Sequence, residues 1–135
     1  MSMQSIIGLP VADVAKSTTF FTAIGFSVNP HVSDETMAAI VLNNGSMLML
    51  YAEPVFTSYT GVKVTDLSTS REVMNGFAAQ SREQVDEVAD KAIAAGATPI
   101  GDAQESDGLY MRAFRDLDDH WWSLNYIDMS AMDEG

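Results

Sequence analysis

LPVADVAKSTTFFTAIGF, residues 9–26, holds a strand end, a helix start and a helix stop in close succession. The preceding residues complete MQSIIGLPV, an apolar run with the look of a buried strand. Asp13 is suited to cap a helix beginning at Val14, because a short carboxylate can accept the orphan N–H groups of a first turn. Val14, Phe21 and Ile24 fall close to helical spacing, although the β-branched Thr18 and Thr19 lower intrinsic propensity. Gly25 supplies the left-handed residue on which such helices commonly stop.

Working outward, three strand candidates follow: FSVNPHV (26–32), MAAIVL (37–42) and SMLMLYA (46–52), the last two joined by an Asn-Asn-Gly turn at 43–45. The second half repeats the order. A strand over Val73–Ala79 precedes SREQ (81–84), a capping box with Ser81 as cap and Gln84 reciprocating. The helix runs on through VDEVADKAIAA to Gly96, and TPIGDA, GLYMRAFR and HWWSLNYID supply three more strands. Eleven residues separate Val14 from Gly25, and eleven separate Val85 from Gly96.

The expectation is an α+β domain of two βαβββ modules. They span about residues 1–53 and 72–128, with a linker at 54–71 and a tail at 129–135. Each module has one helix to cover one face of a short sheet. The two sheets are therefore expected to form a curved mixed sheet around an open cleft, where a ligand would sit.

Bulk composition narrows the function classes. The chain has 135 residues, 47% of them hydrophobic and 19% charged, which suits one folded domain with a sizeable core. Nothing approaches the run of about 18 apolar residues that a membrane span needs. The start MSMQSIIGLP lacks the basic stretch of a signal peptide, so a cytoplasmic location is expected. The chain contains no cysteine, which excludes disulfides, thiol nucleophiles and zinc-thiolate sites. A net charge of −12 disfavours nucleic acid and anionic membranes as partners.

LPVADVAKSTTFFTAIGF (9–26), KAIAAGA (91–97) and FRDLDDHWWSL (114–124) resemble the vicinal oxygen chelate superfamily. That superfamily includes glyoxalase I, bleomycin-resistance proteins, fosfomycin-resistance enzymes and extradiol dioxygenases. FSVNPHVSDE (26–35) and SREQVDEVADKAIAAGA (81–97) are similar to a bacterial subgroup usually labelled "predicted lactoylglutathione lyase". The resemblance covers residues 4 to 128 and implies a glyoxalase-like fold.

The family's usual ending is D-P-D-G-H-x-W-E-L. Asp116, Asp118, His120, Trp122 and Leu124 match it; Leu117 replaces the proline, Asp119 the glycine and Ser123 the glutamate, a metal ligand in metal-dependent members. By the same resemblance the other ligand positions fall on Ile6, on Met49, and on Gly76 or Phe77. None of these four residues offers a carboxylate or imidazole to a hard divalent metal. No cofactor is therefore expected, and a divalent metal only if ligands are supplied elsewhere.

The residues have bland readings beside the functional ones. Asp116, Asp118, Asp119 and His120 crowd into one turn, where aspartates commonly accept backbone N–H bonds. His31, in NPHV, reads as a partly exposed side chain before it reads as a base. Alternation on the last strand puts Trp121, Ser123 and Asn125 on one face and Trp122, Leu124 and Tyr126 on the other. The first set is expected to line the cleft with Ile6, Met47, Met49, Tyr51 and Phe77; packing in a dimer interface is the alternative. Tyr110 and Arg112 share a face of GLYMRAFR and join the cleft-lining candidates, with a structural ion pair of Arg112 as the alternative. Tyr59 is a candidate lid residue. No catalytic residue is identifiable.

Three functions stay open on sequence alone. The first is a metal-independent binder of a small apolar or aromatic molecule. The second is a glyoxalase-like lyase, or a related isomerase or dioxygenase, using a metal to polarise vicinal oxygens. The third is a non-enzymatic sequestering or resistance protein acting as a homodimer.

Overall fold

The computed structural model describes residues 3–43 and 45–128. Asn44 of the expected turn and the tail at 129–135 lie outside the described residues. The chain divides into two compact units, Met1–Asp66 and Leu67–Gly135.

In the first unit, β1 (Ile6–Val11) leads into α1 (Val14–Ala23), followed by β2 (Ser27–Asn29), β3 (Met37–Asn43), β4 (Ser46–Ala52) and α2 (Glu53–Thr60). The sheet order is β1-β4-β3-β2, with β1 parallel to β4 and the other pairs antiparallel. Asp13 caps α1 as its sequence predicts, accepting the Lys16 N–H at 3.0 Å. Gly25 follows the helix at φ +120°, a conformation an L side chain strains to adopt. Phe20 and Phe21 meet edge to face at 5.1 Å and are buried with Val14, as are Leu9, Val11, Ala38, Ile40, Leu48 and Leu50 of the sheet. Each large aliphatic side chain withdrawn from water there contributes about 1.5–3 kcal/mol before entropy is counted.

Two local expectations are corrected in this unit. The strand FSVNPHV is only Ser27–Asn29, because Pro30 has no N–H to give a ladder. The chain instead enters a 3-10 turn at Pro30–Val32, with the Asn29 side chain accepting the His31 N–H at 3.0 Å. The supposed linker contains α2. No side chain caps it, but Pro54 occupies its first turn and Gly61 closes it at φ +75°.

The second unit repeats the plan with β5 (Asn75–Ala78), α3 (Arg82–Ala94), β6 (Thr98–Ser106), β7 (Leu109–Arg115) and β8 (Trp121–Ile127). Its order, β5-β8-β7-β6 with β5 parallel to β8, is the first unit's order with each strand replaced by its counterpart. Two four-stranded mixed sheets, each with a helix between its first two strands, make the α+β glyoxalase-like fold. Val85, Ala89 and Ala92 on α3 are buried, as are Phe114, Trp122 and Leu124 on the strands α3 contacts.

Ser81 caps α3, taking the Gln84 N–H at 3.1 Å. The reciprocal half of the capping box shifts by one residue, since Gln84 Oε1 accepts the N–H of Gln80 at 2.7 Å. β6 runs further than TPIGDA, through an irregularity between Ile100 and Gln104. It turns into β7 at Asp107 and Gly108, whose φ of 49° and 83° suit a two-residue hairpin turn. Among the described residues, no helix is long and apolar enough to cross a membrane.

Candidate functional site

In the first unit the register sets Ile6 beside Met47, Gly8 beside Met49 and Pro10 beside Tyr51. Adjacent partners share a sheet face, so Ile6, Met47, Met49 and Tyr51 lie together on the face away from Leu48, Leu50 and α1. Ile6 is exposed, Met47 and Tyr51 are partly buried, and Met49 is buried. The Tyr51 ring lies across β1 at Gly8, where a Cβ would come within 2.8 Å of its Cε2. Gly8 therefore leaves the space that the edge of the ring occupies. Tyr59, on α2, meets Tyr51 edge to face at 5.6 Å and is 70% exposed. The two rings form an aromatic corner beside a methionine-rich surface. A shallow depression lined by Val14, Thr18, Val28, Pro30 and Ala38 adjoins α1 and contains none of the candidate residues.

In the second unit, Trp121, Ser123 and Asn125 of β8 stand beside Arg115, Ala113 and Met111 of β7, and Gly76 of β5 stands beside Ser123. Asn125 Nδ2 donates to Ser123 Oγ at 2.8 Å and to the Phe77 carbonyl at 3.3 Å. Asn75, buried at the start of β5, donates to the Trp121 carbonyl at 3.2 Å.

Three expected site residues lie on the opposite face and are corrected. Phe77 stands beside Leu124 and stacks on Trp122, with ring centroids 5.0 Å apart and planes 8° from parallel. The fifth-strand position facing Ser123 is thus Gly76, which has no side chain. Tyr110 and Arg112 stand beside Tyr126 and Leu124 and point to α3. The Tyr110 hydroxyl donates to Asp86 Oδ1 at 2.6 Å, while the Arg112 guanidinium reaches Asp86 at 3.2 Å and Asp90 at 3.0 Å. Arg82 pairs with Glu105 and sits 4.3 Å from the Tyr110 ring centroid. The Tyr110 hydrogen bond, followed by Arg112, holds the Asp86 carboxyl below its ordinary range; the same bond, with burial, raises the Tyr110 phenol. This is a helix-to-sheet clamp, the ion-pair alternative for Arg112. The residues missed on the other side of β7 are Met111, Ala113 and Arg115.

The acidic turn at 116–120 is organised by the Asp116 carboxylate. Asp116 Oδ1 accepts the N–H groups of Asp118 at 2.9 Å and His120 at 3.0 Å, and its Oδ2 accepts the Trp122 indole N–H at 2.8 Å. Burial pushes the Asp116 carboxyl up, against the opposing pull of His120, the indole and the two N–H groups. Asp119 sits at φ +67°, which explains why the family pattern has glycine there. His31 is exposed in its 3-10 turn and far from being enclosed by other groups.

The donor chemistry can be judged position by position. Ile6 offers hydrocarbon, Met49 a thioether, Gly76 nothing and Ser123 a neutral hydroxyl, a set that does not fit a hard divalent ion. Among the described residues, no group of three or more His, Asp or Glu is placed to hold a metal.

Comparison with known proteins agrees with this architecture. A family model described as bleomycin resistance protein-like N-terminal matches residues 7–43. No curated protein matches the chain significantly. Among solved structures, a hypothetical protein, SA1046, from S. aureus is 25% identical with a TM-score of 0.80, covering 93% of this chain and 94% of that one. A glyoxalase/bleomycin resistance protein/dioxygenase family enzyme from Burkholderia phytofirmans PsJN is 17% identical with a TM-score of 0.78, covering 94% and 100%. A glyoxalase-related enzyme from Fulvimarina pelagi is 20% identical with a TM-score of 0.76, covering 93% and 88%. The first-module match and these solved structures make the chain similar in fold to the glyoxalase/bleomycin resistance protein/dioxygenase proteins.

Proposed function

We propose that this chain is a metal-independent member of the vicinal oxygen chelate superfamily that binds a small, neutral, largely apolar or aromatic molecule. The observation that carries the reading is the chemistry at the four family ligand positions, Ile6, Met49, Gly76 and Ser123. They supply one weak neutral oxygen where the metal-dependent members supply carboxylates and imidazoles. The surroundings support a hydrophobic guest: methionines adapt their shape to an irregular apolar surface, and the Tyr51–Tyr59 corner offers ring faces and edges for stacking. The net charge of −12 further disfavours an anion.

Equilibrium dialysis against nickel, zinc, manganese and iron, read by elemental analysis, is expected to leave the protein without stoichiometric metal. Tight one-to-one uptake of any of these ions would overturn the reading, as would turnover of methylglyoxal with glutathione. Titration with the neutral aromatic dye Nile red is expected to give saturable binding. The same reading has the chain acting as a homodimer, which light scattering tests.

A further inference from the structure

Resting on that reading, we infer that Ser123 and Asn125 form a neutral hydrogen-bonding pair that selects aromatic ligands carrying a carboxamide or lactam over the corresponding acids. The orientation of the Asn125 amide is fixed by its neighbours. A backbone carbonyl accepts and never donates, so the group 3.3 Å from the Phe77 oxygen must be the NH2. That same nitrogen donates to Ser123 Oγ at 2.8 Å. Two consequences follow. Asn125 Oδ1 retains its full accepting capacity, and the Ser123 hydroxyl, already accepting from Asn125, has its proton to donate elsewhere. Among the described residues, neither atom has another partner.

One acceptor and one donor are thus held side by side on the face of β8 that also carries Trp121. Ser123 is only 6% exposed, so an unmatched polar group brought against it would stay largely desolvated. Gly76 is part of the arrangement. A Cβ there would lie 3.0 Å from Ser123 Oγ and 3.4 Å from Asn125 Nδ2, so a larger residue would push the pair out of place. The complement to this pair is a group with a carbonyl oxygen and an N–H on adjacent atoms. A carboxylate brings two acceptors, one of which must face the Asn125 carbonyl oxygen without a proton between them. A ketone satisfies Ser123 and leaves Asn125 unmatched.

Four probes of one shape separate these possibilities: 2-naphthamide, methyl 2-naphthyl ketone, 2-naphthoate and 2-ethylnaphthalene, each titrated by calorimetry into the full chain. The amide is expected to bind about tenfold more tightly than 2-ethylnaphthalene, as one well-made hydrogen bond implies. The ketone should fall between them and the acid should bind most weakly. In Ser123→Ala, the ketone-to-ethylnaphthalene affinity ratio should fall to near one and the amide-to-ethylnaphthalene ratio should fall part of the way, changes that a purely structural role for the hydroxyl would not produce. If 2-ethylnaphthalene binds as well as the amide, or the acid binds better, the hydrogen-bonding inference is wrong while apolar binding stands. If none of the four binds, the apolar-binding reading fails as well. The wild-type ratios decide the matter alone should the variant not fold.

Discussion

Replacing Asp116 by alanine isolates the physical role of the conspicuous acidic turn. The side chain is 6% exposed and takes three hydrogen bonds, two of them in buried surroundings: from the His120 N–H and from the Trp122 indole. Alanine takes the carboxylate acceptor away from both donors, and a buried donor that loses its acceptor costs about 1–3 kcal/mol. Removing the carboxylate also relieves a burial penalty, the same penalty that pushes its pKa up, so the loss should fall in the middle of that range. We expect about 3 kcal/mol at neutral pH. With a urea m-value near 1.5 kcal/mol/M, the midpoint falls by roughly 2 M. Urea unfolding followed by tryptophan fluorescence measures it. Asp116→Asn adds a sharper test, because keeping Oδ1 for the backbone turns an NH2 toward the indole N–H. Trp122→Phe removes that second donor, so a double-mutant cycle between the two should show coupling of about 1 kcal/mol or more. A loss below about 1 kcal/mol in Asp116→Ala, or no coupling in the cycle, would refute the claim that this carboxylate organises the turn.

The remaining predictions concern the other elements of the two units. Tyr59→Ala should weaken Nile red binding about 2- to 10-fold, the worth of one aromatic contact, while the largely exposed ring costs little stability; unchanged affinity would remove Tyr59 from the site. Asp86 is held below its ordinary range, so the stability it adds is present above the unfolded pKa of about 3.9 and is lost as pH falls through its lower folded value. Asp86→Asn should therefore be less stable than wild type at pH 7, and the gap in urea midpoint should close on acidification below about pH 4. A gap that widens there would give the wrong sign. The pair is half-exposed, so the effect is small and falls with salt. Asp119→Gly should leave the urea midpoint nearly unchanged, whereas Asp119→Val at φ +67° should cost about 1–2 kcal/mol.

What could be read from the sequence was what neighbouring residues decide among themselves. Asp13 with Gly25, and Ser81 with Gly96, mark both principal helices because caps act on groups within one turn. The faces of β4 and β8 followed from alternation alone. α2 escaped because it has no side-chain cap, and its Val55 and Thr57 give it little intrinsic propensity; only Pro54 and Gly61 signalled it.

The errors at the site have a different origin, and they share it. Which face Phe77, Tyr110 and Arg112 occupy depends on how β5 and β7 register against β8, a relation between residues about ten or more positions apart. A slip of one residue reverses every side chain in a strand. The register beside Leu124 turns Arg112 to α3, where Asp86 and Asp90, spaced one helical turn apart, were the sequence signal that it had a structural partner. The same register puts Gly76, not Phe77, beside Ser123. Moving Arg112 and Phe77 off this face removes a potential anion ligand and an aromatic ring together. What stands on the face is Met111, Ala113, Trp121 and the neutral Ser123–Asn125 pair, with Arg115 at its end within 3.9 Å of Asp119. The corrected register therefore takes the cationic candidate Arg112 out of the expected apolar and aromatic lining and leaves neutral donor–acceptor matching beside it, and the preference for amide over acid follows from that change.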